Sequence, residues 1–286
     1  MKRTNSRRLI VLEKVRLERL SCVEGPYAVE PPLRWAELEA TVREASPASV
    51  VLVDPYADGR AGEQFPRLRE LLRRFPSLTV VAVLELRTES VGDVMTLMEW
   101  GVSEVIDLET EATPGAIRAR LRQAHARPLK KRLEAALSQY VPPEARNLLL
   151  GAAEVAVEGG SAADMADVLR VTPRTLAGQC TRADLPSPRQ VQAWMRILLA
   201  CMLLDDPGRT VYSAAYACGY STDRSLRRAV QTLLGKDTTT LRRGSAFTAA
   251  MRSFNDTLLE LREAGRARRR AARAKSGSGS GSASAP

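Results

Sequence analysis

The chain has 286 residues, 44% hydrophobic and 27% charged, a balance that sustains a packed core and excludes a disordered or fibrous protein. At roughly 100–200 residues per domain, that length gives about two domains. The formal charge of +10 is uneven: residues 1–127 hold 19 basic and 19 acidic side chains, whereas residues 128–286 hold 24 and 14, so the excess lies wholly in the second part. A neutral front and a basic back point to a polyanion partner for the back, or to a solvated basic surface without one. The longest apolar run, Ile197–Leu204, is far too short to span a bilayer, and the N-terminus, whose apolar patch breaks at Glu13, does not read as a signal peptide. Cys22, Cys180, Cys201 and Cys218 show no CxxC and no metal-ligand spacing, which fits reduced core residues in a cytoplasmic protein.

In chain order, RLIVLEK (Arg8–Lys14) predicts an N-terminal strand and Trp35–Ala45 a helix. Three valine-rich runs follow, Ser49–Tyr56, Leu78–Leu86 and Val102–Leu108, and none alternates with polar residues. Strands buried on both faces of a parallel sheet look like this. Between them, Phe65, Leu68, Leu71, Leu72 and Phe75 keep the helical period, as do Val91, Val94, Leu97 and Met98. Thr113 as N-cap and Pro114 at the first helical position open another helix, with Ile117, Leu121 and Ala124 on one face. Alternation of strand and helix predicts an α/β doubly wound fold for residues 1–127.

These residues resemble a response-regulator receiver domain over about 1–125. The likeness rests on Asp54 ending a buried strand, the helix Gly62–Phe75, the strand at Thr79–Leu84 and the segment LMEWGVSEVIDL. It implies Asp54 as a possible phosphoryl acceptor. The family's acidic pair, hydroxyl and lysine are missing, because the first strand ends in Glu13-Lys14, the fourth in Glu85 with no hydroxyl before Thr88, and the fifth in Asp107-Leu108. Phosphoryl transfer needs such groups to hold Mg²⁺ and neutralise charge. A lone Asp before Pro55 also fits an ordinary strand-to-loop turn. The reading is a degenerate receiver serving as a protein–protein or dimerisation surface, with an unrelated α/β module as the alternative.

Pro128 is expected to break the preceding helix, and a linker helix is placed at about Leu129–Tyr140 within a junction spanning 128–141. From residue 142 to 244 everything reads as helical. Pro143–Val157 forms a helix stopped by Gly159-Gly160, and Ser161 caps AADMADVLR with Asp164 completing a capping box. Thr172 and Pro173 open a helix running to about Ala183. A long helix follows at about Arg189–Leu204. Thr210 caps VYSAAYAC, Gly219 makes a turn, and Thr222 or Ser221 caps DRSLRRAVQTLLG. Two helix-turn-helix units joined by one long helix result, with Ala166 and Ala215 small enough for close packing.

This order resembles the double helix-turn-helix domain of the AraC/XylS family of bacterial transcription regulators over about 142–244. The most specific stretches are VYSAAYACGYST, SLRRAV, Leu234-Gly235 and Leu241–Arg243. The resemblance implies that the second helix of each unit enters a major groove. In the second unit Leu226 and Val230 face the core, while Asp223, Arg224 and Arg228 project towards DNA and Arg227, a further DNA-binding candidate, lies beside them; Arg can hold guanine bidentately. Asp223 either accepts from cytosine or is a first-turn acid favoured by the helix dipole. Thr222 and Ser225 are phosphate-contact candidates. In the first unit Leu176 is core and Arg174 and Gln179 reach outward, but Ala177 and Gly178 stand where the family often has longer side chains, and Arg170 replaces the usual turn glycine.

Residues 245–275 predict an amphipathic helix with Phe247, Met251, Phe254, Leu258 and Leu261 on one stripe, then the basic run RARRRAARAK, then a flexible Gly/Ser end at 276–286. The basic run fits sequence-independent phosphate contacts or a solvated tail; the stripe also fits a dimer contact. The expected function is a sequence-specific DNA-binding transcription regulator reading two adjacent major-groove segments, with a non-specific, charge-driven DNA-binding architectural protein as the alternative. Double-stranded DNA is the expected partner. RNA polymerase and a second copy joined through the front domain are further candidates. A cytoplasmic, nucleoid-associated location is expected, with no membrane, no cofactor, no metal and no small-molecule effector. An enzyme is not expected, because His125 is the single histidine and no nucleophile–base set accompanies it.

Overall fold

The computed structural model describes residues 7–13, 15, 27–56, 61–85, 91–110 and 113–277. Cys22, Lys14, Thr88 and the end of the chain from residue 278 lie outside them. The front half is a five-stranded, wholly parallel sheet: β1 (Arg7–Val11), β2 (Tyr27–Val29), β3 (Val50–Val53), β4 (Thr79–Leu84) and β5 (Glu104–Asp107), in the order β2-β1-β3-β4-β5. Every residue of β3 and β4 is buried, as the unalternating valine runs require. Helices α1 (Trp35–Glu44), α2 (Ala61–Arg74) and α3 (Val91–Trp100) intervene. Leu38, Leu68, Phe75 and Leu97 pack on one face of the sheet, while Ile117, Leu121 and Ala124 pack on the other. The three-residue β2 was not expected; only Tyr27 of it is buried, so it lacks the apolar run that marks the other strands.

Those last three residues belong to α4 (Pro114–Ala136), capped by Thr113, whose hydroxyl accepts from Ala116 N–H. The expected break at Pro128 is absent. The helix runs through Pro128 and ends at Ala136, so a separate linker helix to Tyr140 does not exist. A proline inside a helix loses a hydrogen bond and costs roughly 3 kcal/mol. Burial on both sides offsets that cost: Leu121 and Ala124 sit in the α/β core, and Leu129 and Leu133 in the helical core beyond.

The back half comprises α5 (Pro143–Val157), α6 (Ala162–Val168), α7 (Pro173–Arg182), α8 (Pro188–Asp205), α9 (Val211–Ala217), α10 (Asp223–Leu234), α11 (Thr238–Leu241) and α12 (Ala246–Gly277). α8 is its axis and is buried on nearly all sides, which explains its run of apolar residues. It packs on α5, α9 and α12. Gln192 and Arg196 of α8 donate to the carbonyls at Gly159 and Gly160, satisfying the end of α5. Asp205, at the end of α8, accepts from the N–H groups of Ala246 and Phe247 and so starts α12. α12 buries Phe247, Met251, Phe254 and Leu258 as its stripe predicts, and it extends to Gly277, into the expected Gly/Ser end. Cys180, Cys201 and Cys218 are free and buried; burial pushes the Cys201 thiol up to about 12. Among the described residues no helix is long and apolar enough to cross a membrane.

The two halves are joined by polar contacts besides α4. Lys131 Nζ donates to the Met98 and Glu99 carbonyls at the end of α3 (3.1 and 2.8 Å). The loop between α8 and α9 carries the densest set. Asp206 accepts from Ser77 N–H at 3.2 Å and from the Ser77 hydroxyl, and Arg209 donates to the Ala45 carbonyl after α1. Both charged groups are buried.

Candidate nucleic-acid interface

α6 and α7 form the first helix-turn-helix unit and α9 and α10 the second. Their first helices are each seven residues long and each starts with a capping box. Ser161 N–H donates to Asp164 at 2.6 Å, and this bond holds the Asp164 carboxyl below its usual range. Thr210 and Ser213 play the matching parts before α9. Ala166 and Ala215 are both buried. The second helices begin alike: Thr172 accepts from Thr175 N–H, and Thr222 from Ser225 N–H, each at 3.1 Å. Leu176 and Cys180 anchor α7, as Leu226 and Val230 anchor α10. Corresponding residues of α7 and α10 are thus fifty positions apart throughout.

The turns differ. Gly219 takes φ +76, a conformation open to glycine without strain, and its counterpart Arg170 is held at φ +53. The outer faces differ more. With 100° per residue, Arg228 points directly away from the Leu226–Val230 side of α10, flanked by Arg224, Gln231 and Thr232. All four are exposed, and Arg224 and Arg228 make no ion pair among the described residues. Arg227, also exposed, has partners within the domain. It donates to the Thr238 hydroxyl at 2.9 Å and pairs with Asp223 at 3.5 Å, which ties α10 to α11. Asp223 is therefore an ion-pair partner and first-turn acid within the helix. Thr222 and Ser225 spend their hydroxyls partly on each other, at 2.8 Å.

On α7 the position matching Arg228 is Gly178, beside which there is open space. Arg174 is exposed, as are Thr175, Thr181 and Arg182. Gln179 is half-buried and lines an open groove with Leu148, Leu169 and Val171. Helical spacing from the core positions would have found Gln231 and Thr232 as further outward residues. Asp54 lies at the carboxyl end of β3, half-buried, and accepts from Tyr56 N–H at 2.9 Å, the bond of a strand-to-loop turn. The Asp107 carboxylate is likewise engaged by its own loop, accepting from Glu109 N–H and the Thr110 hydroxyl.

Residues 165–244 match the family model described as a helix-turn-helix domain, of the AraC type. The match runs from within α6 to the end of α11 and so takes in both units and the connecting α8. No curated protein and no solved structure gives a significant match. The matched domain indicates a DNA-binding transcription regulator.

Proposed function

We propose that the chain reads specific DNA sequences, chiefly through its second unit. Arg224 and Arg228 contact base edges in a major groove, and Thr222 and Ser225 lie close to phosphates. The first unit holds the neighbouring groove mainly through backbone contacts from Arg174. The observation that carries this reading is the pair Arg224 and Arg228, four residues apart, exposed on the outer face of α10 and without an ion pair among the described residues. A bidentate Arg–guanine contact discriminates by roughly 1–3 kcal/mol. The front domain is read as a receiver-like module for pairing two copies. Its strand order, which receiver domains share, and the exposed Val91 and Met95 on α3 support this. No catalytic step belongs to this function, and Asp54 serves it as a turn residue.

Selection of binding sites from random duplex DNA at physiological salt tests the proposal, run beside an Arg224→Ala/Arg228→Ala variant. A shared site of about one to two helical turns, lost by the variant, is the expected result. Uniform binding that the variant keeps and salt abolishes would replace it with the charge-driven alternative.

A further inference from the structure

The basic run after residue 265 does not leave the protein as a loose tail. Gly265 of α12 is buried against Asp184, the second residue beyond α7. A Cβ at Gly265 would stand 2.0 Å from Asp184 Oδ1, so any larger residue there must push the Asp184 carboxylate aside. One turn on, Arg269 grips both Asp184 carboxylate oxygens, Nη1 at 2.9 Å and Nη2 at 2.8 Å. Asp184 is itself held at φ +52. Leu261, Gly265 and Arg268 of α12 share a cleft with Thr181, Asp184 and Leu185 of the first unit.

This clamp has two consequences. It neutralises one guanidinium and leaves Arg266, Arg268 and Arg270 exposed on the same helix. It also sets Arg268 in the cleft with Thr181 beside α7, where Gly178 and Ala177 give the helix no long side chain of its own, while Arg266 and Arg270 lie further round α12, on the side turned away from Asp184. An unneutralised cluster of this kind, fixed next to a DNA-binding domain, suits a row of phosphates: each one it neutralises releases about one counterion.

We propose that the basic end of α12 is a third DNA-contacting element, docked on the first helix-turn-helix unit and gripping the phosphate backbone that α7 cannot reach. This rests on the DNA-binding reading above. The test measures full-chain binding to a selected site, or to a random-sequence duplex of about three helical turns, by fluorescence anisotropy over a range of salt. Three forms are compared: the natural chain, Arg266→Gln/Arg268→Gln/Arg270→Gln, and Gly265→Leu, which displaces the Asp184 carboxylate that Arg269 grips without changing charge. The triple variant is expected to lower the slope of log affinity against log salt by roughly 2–3 and to weaken binding at least tenfold at physiological salt. Gly265→Leu is expected to shift both in the same direction. Unchanged slope and affinity in the triple variant would overturn the proposal. So would natural binding by Gly265→Leu, since the charge would then act from any position. If the natural chain itself bound no DNA, the underlying reading would fall too, a result distinct from either of these.

Discussion

The two helix-turn-helix units share a scaffold and differ on its outer surface. Caps, core leucines and buried alanines coincide, yet Gly178 in one stands where Arg228 stands in the other. Their supports differ as well. The second unit is approached through a loop bolted to the α/β half by Asp206 and Arg209 and is braced by the Arg227–Thr238 bond. The first is braced by α12 through Asp184. Buried caps and leucines fix where a recognition helix lies, and the outward side chains fix what it can grip. The two sets of residues vary independently, because they lie on opposite faces of the same short helix.

The largest effect that sharpens this contrast concerns the bolt at the second unit. Burial pushes the Asp206 carboxyl from 3.8 up to about 6, against the opposing influence of Ser77, Arg209 and Arg132. Between about pH 4 and 6 the folded chain thus holds a proton that the unfolded chain has released. Its contribution to stability is complete below about pH 4 and is lost as pH rises through about 6, up to about 3 kcal/mol. Urea melts followed by tryptophan fluorescence should show this extra fall between pH 4 and 7 in the natural chain and not in Asp206→Asn. Parallel profiles would mean that Asp206 is not the buried carboxyl described here.

Next come the turns, for which opposite signs are expected. Gly219→Ala should lower stability by about 1–2 kcal/mol through left-handed backbone strain, since the added methyl finds only ordinary contact with Gly159. Arg170→Gly should raise it by about 1 kcal/mol, because the arginine already bears that strain. Calorimetric melting temperatures moving the same way in both would break the equivalence of the two turns. The smallest effect is Gly178→Arg. Open space surrounds that position, so the gain is helix propensity of about 0.5–1 kcal/mol, with a steepening of the salt slope by about one. A variant that melts higher but binds with an unaltered slope would show that this face of α7 does not meet DNA.

Much of this was legible beforehand because the signals are local. Thr113, Ser161, Thr172, Thr210 and Thr222 all cap the helices they were expected to cap. Leu176, Leu226 and Val230 are buried as their spacing demands. What escaped depends on distant partners. Pro128 signals a break unless both flanking turns are packed in cores on either side of it. Arg227 looks like Arg224 until α11 brings Thr238 to it. Nothing in residues 261–270 announces Asp184, which lies more than seventy positions earlier. β2 is too short and too exposed to carry a pattern.

The uninterrupted α4 bears on how the protein can be dissected. At 1.5 Å per residue its 23 residues make a rod about 34 Å long, one half of which fills each core. The boundary expected near residue 127 falls inside that rod. A fragment cut there would leave Leu129 and Leu133 on a nine-residue stump that begins at Pro128, without the turns that precede it, so neither half is an interchangeable cartridge. Dissections meant to isolate the DNA-binding half should carry the whole of α4, and grafts of a new front domain should be spliced in frame with its turns.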